Sequence, residues 1–340
     1  MRAMVLKEFL ELRRDKRMMA MVVALPLLLL IVFGYAASFN VTSLRTEVTG
    51  PGAQQAAAHL PAKFDVVRVD ANADRDVAVQ RLRDGKADVI VVAGTGGPAT
   101  LLVNGASLFS AQQAVALAGR SNATLRPEVL FNPDLETSWV MVPALVGLIL
   151  AFIGTIITAT GLVRERQSGT LEQLAVMPFR PSDVIAGKIV PYFVLAAVDM
   201  VLVTVLGLVL FGVPFVGNVL VFAAGAALFL FVVLGIGVLI STMSQTQGQA
   251  MQMALMAMLP QVLLSGMIFP LQSMAAGVRW IGYALPLTWF IKISNGVMLR
   301  GAAPSSLWLP LLILAAMAVV VFGAAVLRFR RDLAPAAVSR

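Results

Sequence analysis

The sequence predicts an α-helical polytopic membrane protein, with six transmembrane helices and an α/β extracytoplasmic domain between helices one and two. Of its 340 residues, 59% are hydrophobic and 13% are charged, whereas soluble domains contain about 45–50% apolar and about 25% charged residues. Four stretches contain no charged residue at all: 18–44, 137–163, 200–278 and 301–327. A membrane crossing needs about 20 apolar residues, so the third stretch has to hold several helices.

The third stretch is divided by residues that interrupt helices. These are Gly212-Val213-Pro214, the polar run 241–249 and the segment 270–273. With these breaks, the six predicted spans are 18–39, 139–163, 189–212, 219–240, 250–270 and 307–327.

The basic residues predict the orientation. They cluster in a predicted interfacial helix at 1–17, in the loop 164–188 and in the tail 328–340, and short basic segments beside membrane helices lie on the cytoplasmic side. We therefore expect a multi-pass protein of the bacterial cytoplasmic (inner) membrane with both termini cytoplasmic. The same positions indicate that the net charge of +8 reflects contact with the lipid bilayer, and no nucleic acid partner is expected.

Two segments outside the spans have a character of their own. Segment 40–138 is rich in charged residues and predicts strands near 64–69, 87–92 and 101–104, with helices at 74–83 and 108–118. Segment 272–306 carries interface-type aromatic residues and predicts short helices that either re-enter the membrane or lie on its outer surface; with Trp308 just beyond, these residues are Trp280, Tyr283 and Trp289.

Several kinds of chemistry are excluded by composition. The chain has no cysteine and one histidine, His59, which excludes disulfides, cysteine nucleophiles and His-cluster metal sites. It has no P-loop motif, since Gly85-Lys86-Ala87 lacks both the upstream glycine and the Ser/Thr that the motif requires. We therefore expect no catalytic residue, no metal site and no cofactor bound by this chain.

The loop between spans two and three predicts a short helix. Thr170 and Gln173 have the spacing of a capping box, and Pro178 ends the helix. Leu171, Leu174 and Ala175 then share one face. This apolar face suits docking into a groove of another protein or contact with the lipid interface.

Polar residues within the spans are candidates for a substrate path. Asp199 is the one ionisable residue inside a predicted span, where a carboxylate costs about 2.5–3.5 kcal/mol on insertion scales, so it should face the bundle or water. Gln252 follows two other glutamines on one face of span five, and Gln261 and Ser265 lie deeper. Such groups either hold helices together or bind a substrate.

The order of these motifs resembles the permease subunits of type-2 ABC exporters, in the bacterial multidrug group. The strongest match is the segment Glu165-Arg166-Gln167-Ser168-Gly169-Thr170-Leu171-Glu172-Gln173-Leu174, followed by Pro178 and Gly187-Lys188. Further similar segments are Val5-Leu6-Lys7-Glu8-Phe9, Arg83-Asp84-Gly85-Lys86-Ala87-Asp88, Phe131-Asn132-Pro133 and Leu264-Ser265-Gly266-Met267-Ile268-Phe269-Pro270.

The resemblance implies a transporter in which this chain is a transport subunit and not an enzyme. Two cassette ATPase subunits would bind and hydrolyse ATP with Mg²⁺, and a second permease copy or a sister permease would complete the membrane part. The substrate would be hydrophobic or amphiphilic, drug-like or lipid-like. The ATPase-coupling residues would be Glu165, Gly169, Thr170, Leu171, Glu172, Gln173 and Leu174.

Two functions of other classes are alternatives. A proton-coupled secondary transporter would use Asp199, but such transporters show internal repeats and several midplane charges. A membrane-anchored extracytoplasmic binding protein would use the domain 40–138 and would not need six spans.

Overall fold

The computed structural model describes residue 41 and residues 43–95, 97–120, 125–168 and 181–333. The predicted interfacial helix at 1–17, the first predicted span at 18–39 and the coupling residues from Gly169 to Leu174 lie outside the described residues.

A five-stranded mixed sheet forms the centre of the α/β domain, in the order β2-β1-β3-β4-β5. β1 pairs parallel with β2 and β3, β3 pairs antiparallel with β4, and β4 pairs parallel with β5. The strands are β1 (Leu44–Thr49), β2 (Phe64–Asp70), β3 (Val89–Val92), β4 (Ala99–Asn104) and β5 (Leu125–Leu130).

Helices cover both faces of this sheet, as the alternation of buried side chains requires. Val89 and Val91 join the core under α1 (Ala53–His59) and α3 (Leu108–Arg120), whereas Ile90 faces α2 (Arg75–Arg83). Successive side chains of a strand point to opposite faces, so the buried run of β3 serves both cores. The domain is therefore a three-layer α/β/α unit.

The helical bundle follows the domain in the chain. Its long helices are α4 (Thr137–Gln167), α5 (Pro181–Phe211), α6 (Val219–Met243), α7 (Gln247–Leu264) and α10 (Trp308–Leu333), with α8 (Ala276–Tyr283) and α9 (Pro286–Met298) between the last two. 3₁₀ turns at Leu271–Ser273 and Pro304–Ser306 flank α8 and α9. α4 contacts α5, α6, α7 and α9, and α6 contacts α4, α5, α7, α9 and α10, so these two helices form the centre of the bundle.

Four helices of the described chain are long and apolar enough to cross a membrane: α4, α6, α5 over Ile189–Phe211, and α10 over Trp308–Arg328. α7 covers most of the fifth predicted span but is not among them, because four glutamines in 18 residues lower its hydropathy. The described residues thus support four of the six predicted spans, and the number six stays a prediction.

Close helix contacts occur at the small residues of α6. A Cβ built on Gly237 would lie 2.8 Å from Thr158 Cβ in α4, and one on Gly235 would lie 2.8 Å from Val321 Cγ1 in α10. Small residues permit such close approach of membrane helices. The aromatic stack of Phe229 on Phe290, with ring centroids 4.7 Å apart, joins α6 to α9 in the same core.

The segment between α7 and α10 is more buried than interface-type aromatic residues suggest. Trp280 and Trp308 are exposed, as predicted, but Trp289 is buried, and its indole nitrogen donates a hydrogen bond to the Tyr283 carbonyl at 2.8 Å. α9 packs against α4 and α6 inside the bundle. Whether this segment re-enters the membrane or lies at its outer surface stays a prediction.

Candidate functional site

The end of the bundle away from the α/β domain, called the loop end here, is held together by the last turn of α4. The guanidinium of Arg166 donates hydrogen bonds to the carbonyls of Ser241 (3.2 Å) and Ser244 (3.1 Å), where α6 ends. The last carbonyls of a helix have no partner within it, and a cation there also interacts favourably with the helix dipole. Arg166 therefore fixes α4 to the end of α6.

Gln167 extends this contact to the start of α7. Its amide nitrogen donates to the Gln245 carbonyl at 3.4 Å, and its amide oxygen accepts from the Gln247 side chain at 3.3 Å. Thr246 caps α7 by accepting a hydrogen bond from the Gln249 backbone. The residues just before the predicted coupling segment thus contact both sides of the α6–α7 junction.

Of the seven predicted coupling residues, the structure describes Glu165, which is partly buried in the last turn of α4. The role of Glu165 and of the other six stays a prediction. Arg166 and Gln167 lie within the matching motif but are not among the seven predicted coupling residues. The sequence feature that could have identified Arg166 is its position in the last turn of a long helix, where a cation can donate hydrogen bonds to the last carbonyls.

The four predicted path residues are not brought together. Asp199 lies in α5, and its Oδ2 atom is shielded from solvent without a hydrogen-bond partner among the described residues. Gln252 is exposed on α7. Gln261 is 3% exposed and its side-chain oxygen accepts the backbone N–H of Leu287 at 3.2 Å, so Gln261 caps the first turn of α9.

Ser265 ends α7 and lines a cavity of about 600 Å³ between the α/β domain and the bundle, at what we call the domain end. The walls come from β1, the α2–β3 turn, α4, α8, α9 and the start of α10. Charged residues of both parts meet there: Arg45, Asp84, Asp88, Arg279, Lys292 and Arg300.

The turn after α2 brings the two parts into contact. Gly85 has φ +71°, and its N–H and that of Lys86 donate to the carbonyls of Leu82 and Arg81, which is the Schellman arrangement that favours glycine. The guanidinium of Arg300, at the end of α9, occupies the space that a Cβ of residue 85 would need. Any larger residue at position 85 would displace Arg300.

Burial changes the acid–base behaviour of two cations in this cavity. Desolvation, assisted by repulsion from Arg45, lowers the pKa of Lys292 to about 8. Desolvation also lowers the pKa of Arg300 to about 10, although attraction by Asp84 and Asp88 opposes this change. Nothing in the local sequence pattern indicates that Lys292 and Arg300 face the same cavity.

Comparison with known proteins agrees with this architecture. Residues 16–327 match the family described as ABC-2 family transporter protein. The chain is 28% identical over 365 aligned positions to the probable multidrug ABC transporter permease YbhS of Escherichia coli K12, covering 98% of this chain and 97% of that protein.

Two further relatives cover shorter parts. The probable multidrug ABC transporter permease YbhR of Escherichia coli K12 is 30% identical over 62% of this chain and 57% of its own length. ABC transporter G family member 20 of Dictyostelium discoideum is 30% identical over 52% of this chain and 24% of its own length. With apolar helices of membrane-crossing length and a family match over most of its residues, the chain belongs to the ABC-2 transporter family as a membrane permease.

Proposed function

We propose that this chain is the permease subunit of an ATP-binding cassette exporter in the bacterial inner membrane. Two separate ATPase subunits bind ATP and Mg²⁺ and supply the energy, and a second permease copy or a sister permease completes the translocation path. The loop end and both termini are cytoplasmic, and the α/β domain is extracytoplasmic. The relatives named as multidrug permeases support a hydrophobic or amphiphilic substrate, drug-like or lipid-like, that leaves the cytoplasm.

The observation that carries this proposal is the contact of Arg166 with the end of α6. The predicted docking helix begins at Thr170, only a few residues beyond α4. Whatever moves that helix also moves the last turn of α4, and the hydrogen bonds of Arg166 and Gln167 pass the displacement to the α6–α7 junction. An ATPase that closes on its nucleotide can thereby act on three helices through one segment.

The transport cycle follows from this connection. Closure of the ATPase dimer tilts α4 and α7 about the interface between the two permeases, so a path closed at one membrane face opens at the other. Such a rigid-body transition between two packed states is a common switching mechanism. No covalent chemistry in this chain is required.

The test replaces the apolar face of the docking helix. Leu171→Asp and Leu174→Asp place carboxylates where an apolar groove of the ATPase is expected, so co-purification of the ATPase and export of a fluorescent amphiphile should both fall at least about tenfold. The matched control is Val67→Asp, an equally drastic change at a valine that is 53% exposed on the α/β domain. Unchanged co-purification together with unchanged export in the two leucine variants would refute the proposal.

Reconstitution separates this function from the two alternatives. Proteoliposomes that contain the permease with its ATPase should export only when ATP is present. Export driven by a proton gradient without the ATPase would instead identify a secondary transporter. Substrate binding without any transport would identify an anchored binding protein.

A further inference from the structure

The cavity at the domain end has an excess of positive charge. Four cationic residues line it, Arg45, Arg279, Lys292 and Arg300, against two carboxylates, Asp84 and Asp88. Asp88 is already paired, since it accepts from Arg45 Nη2 at 3.3 Å. Asp84 is also shared with Lys86, at 3.8 Å. The two carboxylates, which already pair with Arg45 and Lys86, therefore cannot neutralise all four cations of the cavity.

Lys292 shows this excess most clearly. Its ammonium lies over the ring of Trp289, 4.2 Å from the centroid, and 4.9 Å from the centroid of Tyr283. No carboxylate of the described chain lies within 4.0 Å of it. Lys292 is partly buried, and cation–π contacts compensate an ammonium for lost hydration less completely than a paired carboxylate does. The Lys292 ammonium, which has no carboxylate partner in the described chain, is therefore available to bind an anion.

Buried polar atoms of the cavity wall also lack partners. Ser265 is 2% exposed, and its hydroxyl has no hydrogen-bond partner in the described part of the chain. The same holds for Nε of Arg279 and for Oδ1 of Asn295. Most buried polar side chains in proteins are satisfied, so the two orphaned donors, the Ser265 hydroxyl and the Arg279 Nε–H, indicate a ligand that accepts hydrogen bonds, whereas Asn295 Oδ1 would need a donor.

Part of the remaining wall is apolar. Val140 and Met141 of α4 and Leu309 and Pro310 of α10 line the same cavity as the cations, and Leu309 is 44% exposed. The cavity therefore offers cationic and hydroxyl donors together with an apolar surface from α4 and α10. Its volume lies within the usual range of about 300–1,000 Å³ for small-molecule sites.

We propose that the domain-end cavity binds a phosphate-bearing anion, either free phosphate or the phosphate head group of an anionic amphiphile whose chain lies along Met141 and Leu309. Guanidinium groups and an ammonium are the donors that phosphate oxygens prefer in proteins. Lys292 and Arg300 contact the phosphate, and the Ser265 hydroxyl donates a hydrogen bond to it. The site belongs to this chain alone, so it does not depend on the ATPase-driven export proposed above.

The experiment measures binding to the purified full-length chain in a neutral detergent. Tryptophan fluorescence reports the titration, because Trp289 lies under the Lys292 ammonium. The probes are inorganic phosphate, short-chain phosphatidic acid, short-chain phosphatidylglycerol and short-chain phosphatidylcholine. We expect the anionic probes to bind at least about tenfold more tightly than phosphatidylcholine, since a charge-assisted hydrogen bond contributes about 1.5–3 kcal/mol.

Three variants give the result its specificity. Lys292→Gln and Ser265→Ala should weaken the anionic probes, by about tenfold and about threefold respectively. Lys63→Gln removes an exposed lysine of the α/β domain and should leave binding unchanged. The melting temperature of each variant without ligand serves as the folding control, and only wild type and Lys63→Gln should gain full stabilisation when the anion is added.

The probes also separate the two sources of the phosphate. Binding of inorganic phosphate as tight as that of the lipids assigns the site to the free anion, and lipid binding that phosphate does not displace assigns it to a head group. Equal binding of phosphatidylcholine and the anionic probes, or equal affinity of wild type and Lys292→Gln, would overturn the proposal.

Discussion

The side chain of Arg166 donates a hydrogen bond to the carbonyl of Ser244, 3.1 Å away, and so joins the last turn of α4 to the residue that follows α6. The two residues lie far apart in the sequence and meet at the end of α4, which precedes the predicted docking helix in the chain. We therefore expect a displacement of the last turn of α4 to reach α6 through this hydrogen bond.

Arg166→Gln should uncouple ATP hydrolysis from export. The variant loses charge-assisted hydrogen bonds that contribute about 1.5–3 kcal/mol each, so we expect export to fall at least about tenfold while the ATPase still co-purifies. Transport and ATP hydrolysis measured on the same proteoliposomes check this. Arg164→Gln is the matched control, because Arg164 lies in the same turn with an exposed side chain; equal losses in both variants would show that charge, not the contact with α6, matters.

Gln261 and Gln252 should behave differently although both lie on α7. Gln261→Ala leaves the buried N–H of Leu287 without its acceptor, so the variant should lose about 1–3 kcal/mol of stability, seen as a lower melting temperature. Gln252→Ala changes an exposed position and should shift stability by no more than about 0.5 kcal/mol. The reverse order would contradict a capping role for Gln261.

Asp199→Asn should leave ATP-driven export within about twofold of wild type. The amide has nearly the same shape as the carboxyl, and the proposed mechanism moves no proton through this residue. A complete loss of transport with normal expression and melting temperature would instead favour the proton-coupled alternative. Proteoliposomes with ATP and no proton gradient provide the measurement.

Anion binding at the domain end should weaken as the pH rises from 7 to 9. The pKa of Lys292 is lowered to about 8, so its ammonium is mostly protonated at pH 7 and mostly neutral at pH 9. The affinity for inorganic phosphate should therefore fall over this window, once the titration of phosphate itself is corrected with sulfate as a second probe. Lys292→Gln should remove the pH dependence, which separates Lys292 from the other groups lining the cavity, namely Arg45, Asp84, Asp88, Arg279, Tyr283 and Arg300.

Patterns with a clear period allowed much of the fold to be predicted. The helix ending at Gly85, the strand near 64–69 and the break at Gly212, with φ +61°, follow from local chemistry. The sequence does not predict β1, because the charged residues Arg45 and Glu47 interrupt the apolar pattern that indicates a buried strand. Glu47 can be buried in β1 because its carboxylate pairs with the guanidinium of Arg81 in α2, 3.1 Å away. This partner is distant in the sequence.

β5 was missed for a different reason. Pro127 lies in its middle, and proline cannot donate a ladder hydrogen bond, so it is confined to edge strands, the first residue of a strand or bulges. β5 is one of the two edge strands of the sheet, with β2 at the other edge. Local propensity alone does not reveal which strand will stand at the edge.

The candidate sites also differ in whether local sequence patterns or tertiary contacts determine them. The docking helix was predicted from capping and periodicity, which are local properties. The cavity at the domain end forms where the Gly85 turn contacts Arg300. No pattern among neighbouring residues in the sequence predicts this contact. The polar residues within the spans have two open interpretations; the hydrogen bond that Gln261 accepts from the Leu287 N–H supports a structural role for Gln261, and its place on a substrate path stays a prediction.

The joint between the α/β domain and α4 has a mechanical consequence. Asn132 accepts the Glu136 N–H at 2.9 Å and donates to the Glu136 carbonyl at 3.0 Å, so the sheet leads stiffly into a helix of 31 residues. At about 1.5 Å per residue this rod is about 46 Å long, and a pivot of about 5° at one end sweeps the other by about 4 Å. In the proposed orientation, a tilt at the cytoplasmic end of α4 would therefore displace the α/β domain at the opposite membrane face.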